Sequence, residues 1–275
     1  MVNTMLEDLR ADCSKCFGLC CVALPYAKSA DFAVDKDGGT PCQNLQTNHQ
    51  CIIHSDLRQK GFRGCVAYEC FGAGQKVSQI TFEGKDWRQH PTLAKDMFAV
   101  LPIMQQLHEM LWYLQEALLI KAAQEIHLDL QDMLEKTEQL TQQSKERILK
   151  INVSEHRVQV NDLLIRTSEL VRTNALHKKF PKNISRGSNL IGAHLKGYDL
   201  KGANLRGALL IAADLRNADL RKADLIGADF RDADLSGANL TDSIFLTQAQ
   251  VNAARGDHHT KLPPLLNIPH HWREI

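Results

Sequence analysis

Between Ser188 and Leu246 an apolar side chain returns at every fifth position: Leu190, Leu195, Leu200, Leu205, Leu210, Leu215, Leu220, Leu225, Phe230, Leu235, Leu240 and Phe245. A small residue stands two places ahead of it in eleven of the twelve units, with Tyr198 the exception. A period of five is neither that of a helix nor that of a strand. Such a pattern predicts a stacked architecture, each unit burying its apolar residue against its neighbours, with a partly open or capped coil at Tyr198. Upstream the rhythm is helical. Met104, Leu107, Leu111, Leu114 and Leu118 advance in steps of three and four, and Ile126, Leu130, Met133, Thr137 and Leu140 repeat the stripe. The spacing predicts a long helical hairpin, Thr92 to about Leu149 and Ser154 to about Leu176. Pro102 is expected to kink or restart its first arm, and Ser154 to cap the second. After Phe245, LTQAQVNAARGD predicts a short capping helix that starts at Thr247 and stops at Gly256. Before residue 91 no period holds.

These changes of rhythm divide the 275 residues into four stretches: 1–90 without a period, a helical arm over 91–182, the five-residue repeat over 183–246, and a tail over 247–275. The fold class expected is multidomain: a cysteine-rich head, an α-helical hairpin or coiled-coil middle, and a repeat solenoid with its capping extension.

Within the repeat, the units ADLRN, ADLRK, ADLIG, ADFRD, ADLSG and ANLTD resemble the pentapeptide-repeat family. That resemblance implies a right-handed quadrilateral β-helix, one pentapeptide per face and four per coil, with the central Leu or Phe and the preceding small residue turned inward. Twelve units would then make three coils, and Leu190, Leu210 and Phe230 would stack on one face. At the usual spacing between strands the stack would be about 14 Å tall.

Charge narrows the function classes. The chain carries 33 Lys and Arg against 32 Asp and Glu, and the balance holds segment by segment, so no nucleic-acid footprint or membrane-surface patch is expected. The repeat holds eight acidic and seven basic residues. It therefore does not imitate duplex DNA, with its charge every ~1.7 Å, and a DNA-mimic topoisomerase modulator is the weakest of the readings. The N-terminal MVNTMLEDLRADC lacks the basic start and apolar core of a signal peptide, and Gln105, Gln106, His108, Glu109 and Glu116 interrupt the longest apolar stretch. A cytoplasmic location is expected.

All eight cysteines precede residue 71: Cys13, Cys16, Cys20, Cys21, Cys42, Cys51, Cys65 and Cys70. In a reducing compartment such a set holds metal more readily than it forms disulfides. The C-x-x-C of Cys13 and Cys16 lets two sulfurs converge from one turn, and all eight are candidate ligands. Zinc is the expected ion, with an iron–sulfur cluster or iron as the alternative. Buried apolar cysteines or a redox disulfide switch are the other readings. His49 and His54 flank Cys51 and are expected at the surface, and Gly72 and Gly74 as turn residues without a phosphate loop.

The segments CSKCFGLCC, PCQNL, CIIH and GCVAYEC resemble a family of small bacterial zinc- or iron-chelating domains over about residues 12 to 75. His54 stands where that family usually has an aromatic, and Phe62-Arg63-Gly64 replaces its Arg-Pro element before Cys65. The resemblance implies metal without naming the ion.

No nucleophile, base and orienting group converge in the sequence. The expected function is a non-enzymatic metal-binding and scaffold protein, its solenoid a platform for a protein partner and its helical arm a route to a homodimer. The alternative is a redox or iron–sulfur head docked through the solenoid.

Overall fold

The computed structural model of the protein describes residues 6–173, 180–181 and 183–273. The chain divides into two compact units: one comprises Met1–Leu119 and Gln124–Leu164, the other Ile120–Ala123 and Ile165–Ile275.

In the first unit the cysteine segment is mostly loop. It is punctuated by short helices, α1 (Leu19–Ala23), α2 (Arg63–Val66) and α3 (Ala73–Gln75), and α3 continues as one wide π-helical stretch, Lys76–Thr81. It packs on α4 (Pro91–Leu119). Leu19, Val22, Ala73, Val77 and Phe82 join Met97, Val100, Leu101 and Met104 of α4 in one buried cluster that Ile148 completes. The expected stripe residues Met104, Leu107, Leu111 and Leu114 are all buried, as the steps of three and four require.

The first helical arm is not continuous. After α4 the chain tightens into a 3₁₀ stretch, Lys121–Ile126, then forms α5 (His127–Thr141), α6 (Lys145–Ile148) and α7 (Val153–Thr173). The interruption between α5 and α6 lets Ile148 reach the α4 cluster and sets Lys145 Nζ 3.0 Å from Asp96. α4 itself runs through Pro102. Ser154 is not the cap of α7: Asn152 Oδ1 accepts the Glu155 amide at 3.2 Å, so the cap lies two residues earlier. The expected end at Leu176 lies outside the described residues.

In the second unit the repeat folds into coils of twenty residues. Parallel bridges join Asn189 to Leu209, His194 to Asp214, Asp199 to Asp219, Asn204 to Asp224, and so on to Asp224 with Ile244. All twelve central Leu and Phe residues are buried, together with the alanine two places ahead of each from Ala203 to Ala238. Two local devices turn each corner. The residue two places after the central side chain is left-handed, at Gly192, Gly197, Gly202 and Gly207 but also at Ala212, Asn217, Lys222, Asp232 and Asp242. The Asp or Asn just before the central residue accepts the amide two positions on, as Asp214 does from Arg216 at 3.2 Å and Asp234 from Ser236 at 3.0 Å. This is the Asx turn, which explains the D/N of the A-(D/N)-L pattern.

Tyr198 does not open the coil. Its amide bonds Leu195 O at 3.1 Å and its carbonyl accepts Asp219 N at 2.9 Å, as at neighbouring corners. The ring turns outward instead, 48% exposed.

The ladder continues past the repeat. α8 (Gln248–Ala253) begins at Thr247, whose side chain and that of Gln250 cap each other's backbone in a capping box. It ends at Ala253 rather than at Gly256. The tail then rejoins the coils, Asp234 pairing with Arg255 and Asn239 with Lys261. Gly256 serves a different purpose: a Cβ there would stand 2.7 Å from the ring of Trp272. That indole is fully buried and donates to Ala254 O at 3.2 Å.

Candidate metal centre

The loop that carries Cys13 and Cys16 is held by the helical stretch 73–81, which follows it by some sixty residues. Gln75 accepts the Asp12 amide at 3.0 Å and donates to Arg10 O at 2.8 Å. Ser78 Oγ accepts the Phe17 amide at 3.0 Å, and Gln79 donates to Lys15 O at 2.8 Å. Trp87 Nε1 closes the clamp on Phe17 O at 2.9 Å. The floor is Gly74, where a Cβ would meet Cys16 Sγ at 2.8 Å and Cys70 Sγ at 3.9 Å. Gly72 is left-handed and begins α3, as a turn residue does, but Gly74 lies within the helix and is needed for close approach. None of these partners was legible beforehand, because Gln, Ser and Gly at such a distance carry no pattern.

A second wall is built from the strand-like loops. Cys42 N donates to Cys21 O at 2.8 Å, and Leu45 pairs with Cys51. Tyr26 donates its hydroxyl to Cys42 Sγ at 3.2 Å. Lys36 lies beside them with its ammonium buried, donating to Val22 O, Asp37 O and Thr40 O at 3.0–3.1 Å.

The vicinal pair sits in α1, with Cys20 Sγ and Cys21 Sγ 3.9 Å apart. That is well beyond the disulfide bond length of about 2.05 Å, and all eight cysteines are free thiols. Burial, then the charges of Cys20 and Cys16, push the Cys13 thiol up to about 11. Burial raises Cys65 to about 12, with Cys20, Cys42 and Cys51 adding to it. Cys70 rises to about 12 by burial, opposed by the Gly74 amide. The hydrogen bond to Cys21 and burial lift Cys20 well above the ordinary thiol range. Burial lowers the Lys36 ammonium, while the negative potential of Cys42, Cys21 and Cys20 supports its charge.

The two histidines separate. His54 is exposed. His49, expected at the surface, is instead largely covered, its Nε2 3.0 Å from Asp86 and its ring between Phe17 and Trp87. Its neighbours are structural.

The donor chemistry fits a thiophilic metal, with eight uncombined thiols in one compact unit. The sulfurs are not drawn together as ligands: among the described residues no group of three or more His, Cys, Asp or Glu is placed to hold an ion. Among those residues, too, no helix is long and apolar enough to cross a membrane.

The repeat matches the family model of pentapeptide repeats, in eight copies over residues 186–212 and 208–245. Over 266 residues the chain is 73% identical to the uncharacterized protein YybG of Bacillus subtilis (strain 168), the match covering 97% of this chain and 95% of that one. The chain belongs to the YybG family. That match spans nearly the whole chain, the stretch that carries the cysteines included, and the pentapeptide assignment holds for the C-terminal segment of this YybG-family member.

Proposed function

We propose that the protein is a non-enzymatic, zinc-binding scaffold of the cytoplasm. Its cysteine segment would hold the metal, and its repeat, a right-handed four-sided β-helix, would be the platform for a protein partner. The observation that carries the reading is the presence of eight free thiols in one compact unit, Cys16 and Cys70 against the Gly74 floor, with burial raising Cys13, Cys16, Cys51, Cys65 and Cys70. Thiols so raised are poor nucleophiles, since the thiolate is the reactive form. They are well matched to a cation, which would relieve both their crowding and their burial. When bound, zinc would supply cross-linking of the loops that carry the cysteines.

The surface of the repeat supports a protein platform over a DNA mimic. Asp214, Asp219 and Asp229 are each engaged by the arginine two residues on, at 2.6–2.7 Å. The coil thus presents paired charges in place of a column of free carboxylates. The apolar stripe of α4 is covered within the chain, so a homodimer would use other positions, such as the exposed Leu128 and Val158.

The test is elemental analysis of the full chain purified aerobically and anaerobically. Stoichiometric zinc in a colourless protein is expected. A chain that carries no metal under either condition overturns the reading, and a brown protein with iron and labile sulfide replaces it with the iron–sulfur alternative.

A further inference from the structure

We infer that the open edge of the first coil, residues 189–201, docks an extended acidic segment of a partner protein, which adds to the coil as one more strand. The inference rests on the reading of the repeat as a protein platform, and it names the surface and the chemistry of the partner.

The ladder shows where the edge lies. In each inner coil the residue before the central side chain donates its amide to the preceding coil, as Leu209 does to Ser188 O and Asp214 to Ala193 O, both at 2.9 Å. Its carbonyl and the one two residues on accept from that coil, as Leu209 O does from Leu190 N and Ile211 O from Gly192 N, both at 2.8 Å. The first coil has no such neighbour. Among the described residues the amides of Asn189 and His194 and the carbonyls of Asn189, Ile191, His194 and Lys196 make no hydrogen bond. Unpaired backbone groups in a row are a template for another chain.

Both ends of the repeat already accept segments that lack the pentapeptide pattern. On the fourth side of the first coil Gly187 N donates to Arg206 O at 2.8 Å. At the far end Arg255 pairs with Asp234 and Lys261 with Asn239. Those basic residues meet the acidic part of the array, since residues 208–246 hold seven acidic side chains against four basic. The first coil has the opposite sign: residues 188–207 hold Lys196, Lys201 and Arg206 against Asp199. Arg206 is buried on Asp224. Among the described residues Lys196 and Lys201 make no ion pair, because Asp214 and Asp219 of the next coil are taken by Arg216 and Arg221 at 2.6 Å. An acidic segment is what complements this end.

The apolar surface agrees. Among the described residues of the second unit, the large apolar side chains left exposed are Ile191, Tyr198 and Leu209. The first two belong to the first coil, and Leu209 pairs with Asn189 of that coil. A segment laid on the edge alternates its side chains. Acidic ones then stand outside beside Lys196 and Lys201, and apolar ones turn inward next to Leu195 and Leu200.

The test uses the full chain and a labelled peptide of alternating Glu and Val, with a Lys–Val peptide of equal length as control. The acidic peptide should bind, more weakly as salt is raised, and should slow amide exchange over residues 189–201. Lys196→Glu with Lys201→Glu should weaken it by at least about tenfold and favour the Lys–Val peptide instead. Two further acidic peptides carry N-methyl groups on the Val amides or on the Glu amides. One of them should lose binding and the other keep it, because only one set of amides faces the edge of a paired strand. Equal binding by both, or binding that the lysine variant leaves unchanged, overturns the inference. Exchange slowed on another face of the coils overturns this surface while the platform reading stands. Failure of both the Glu–Val and Lys–Val peptides to bind overturns the surface and counts against the platform as well.

Discussion

Gly74 and Cys16 lie so close that one methyl group on the glycine would stand 2.8 Å from the cysteine sulfur. The contact joins the C-x-x-C loop to a helix that begins nearly sixty residues later. Gly74→Ala should therefore displace Cys16, lower zinc retention against a competing chelator and destabilise the first unit by about 1–3 kcal/mol. Metal retention and thermal melting check this, and a variant that holds zinc and melts like the parent would show that the floor is not tight.

His108 introduces a pH dependence. Its Nδ1 is 2.7 Å from Phe71 O, and Nε2 is buried without a partner. Burial lowers the imidazole from 6.5 to about 4. Between those values the unfolded chain takes up a proton that the folded chain refuses. The stability that neutral His108 confers is therefore complete above about pH 6.5 and is lost as pH falls toward 4. From pH 7 to pH 5 the loss should be about 2 kcal/mol. Urea unfolding at the two values measures it, and His108→Asn should flatten the difference; an unchanged slope in that variant would assign the effect elsewhere.

Within the coils, Arg206 and Asp224 form an ion pair at 2.9 Å, with side chains 7% and 0% exposed. Arg206→Met would leave the carboxylate buried opposite an apolar chain, at a cost of about 3–5 kcal/mol. Adding Asp224→Asn to that variant should recover part of the loss. Denaturant midpoints of the single and double variants test the coupling, and additive effects would argue against it.

At Lys222 the corner requires φ of 57° from a residue with a side chain, where Gly227 and Gly237 meet the same demand freely. Lys222→Gly removes that strain, about 1–2 kcal/mol, against the greater freedom that glycine loses on folding. A net gain of about 0.5 kcal/mol or more is expected. Unfolding of the coils, followed by circular dichroism, should move to higher denaturant, and a downward move would mean that the lysine stem contributes packing that outweighs the strain.

What the sequence discloses depends on how local each cause is. Leu190 to Phe245 are legible because every unit repeats the same corner within five residues, and Thr247 because a capping box spans only four. The break between α5 and α6 is not, since it serves Ile148 and its distant partners Leu19 and Met97 in one cluster. Cysteines declare themselves as donors wherever they stand. Their neighbours Gln75, Ser78 and Lys36 do not, because each acts across a loop closed only in the fold. His49 looked like a surface residue for the same reason: Asp86 and Trp87, which cover it, lie almost forty positions away.

The tail rejoins the coils at offsets of 21 and 22 residues, Asp234 with Arg255 and Asn239 with Lys261, where every earlier bridge spans 20. This constrains how such a gene can lengthen. Duplication of twenty codons inside the array leaves Trp272 and Gly256 meeting the same side of the last coil. Duplication of a single pentapeptide rotates that side by a quarter of a coil and presents the closing segment with the wrong partners. Family members should therefore differ in array length by whole coils, and a chain extended by five residues should be poorly closed even though every repeat in it is intact.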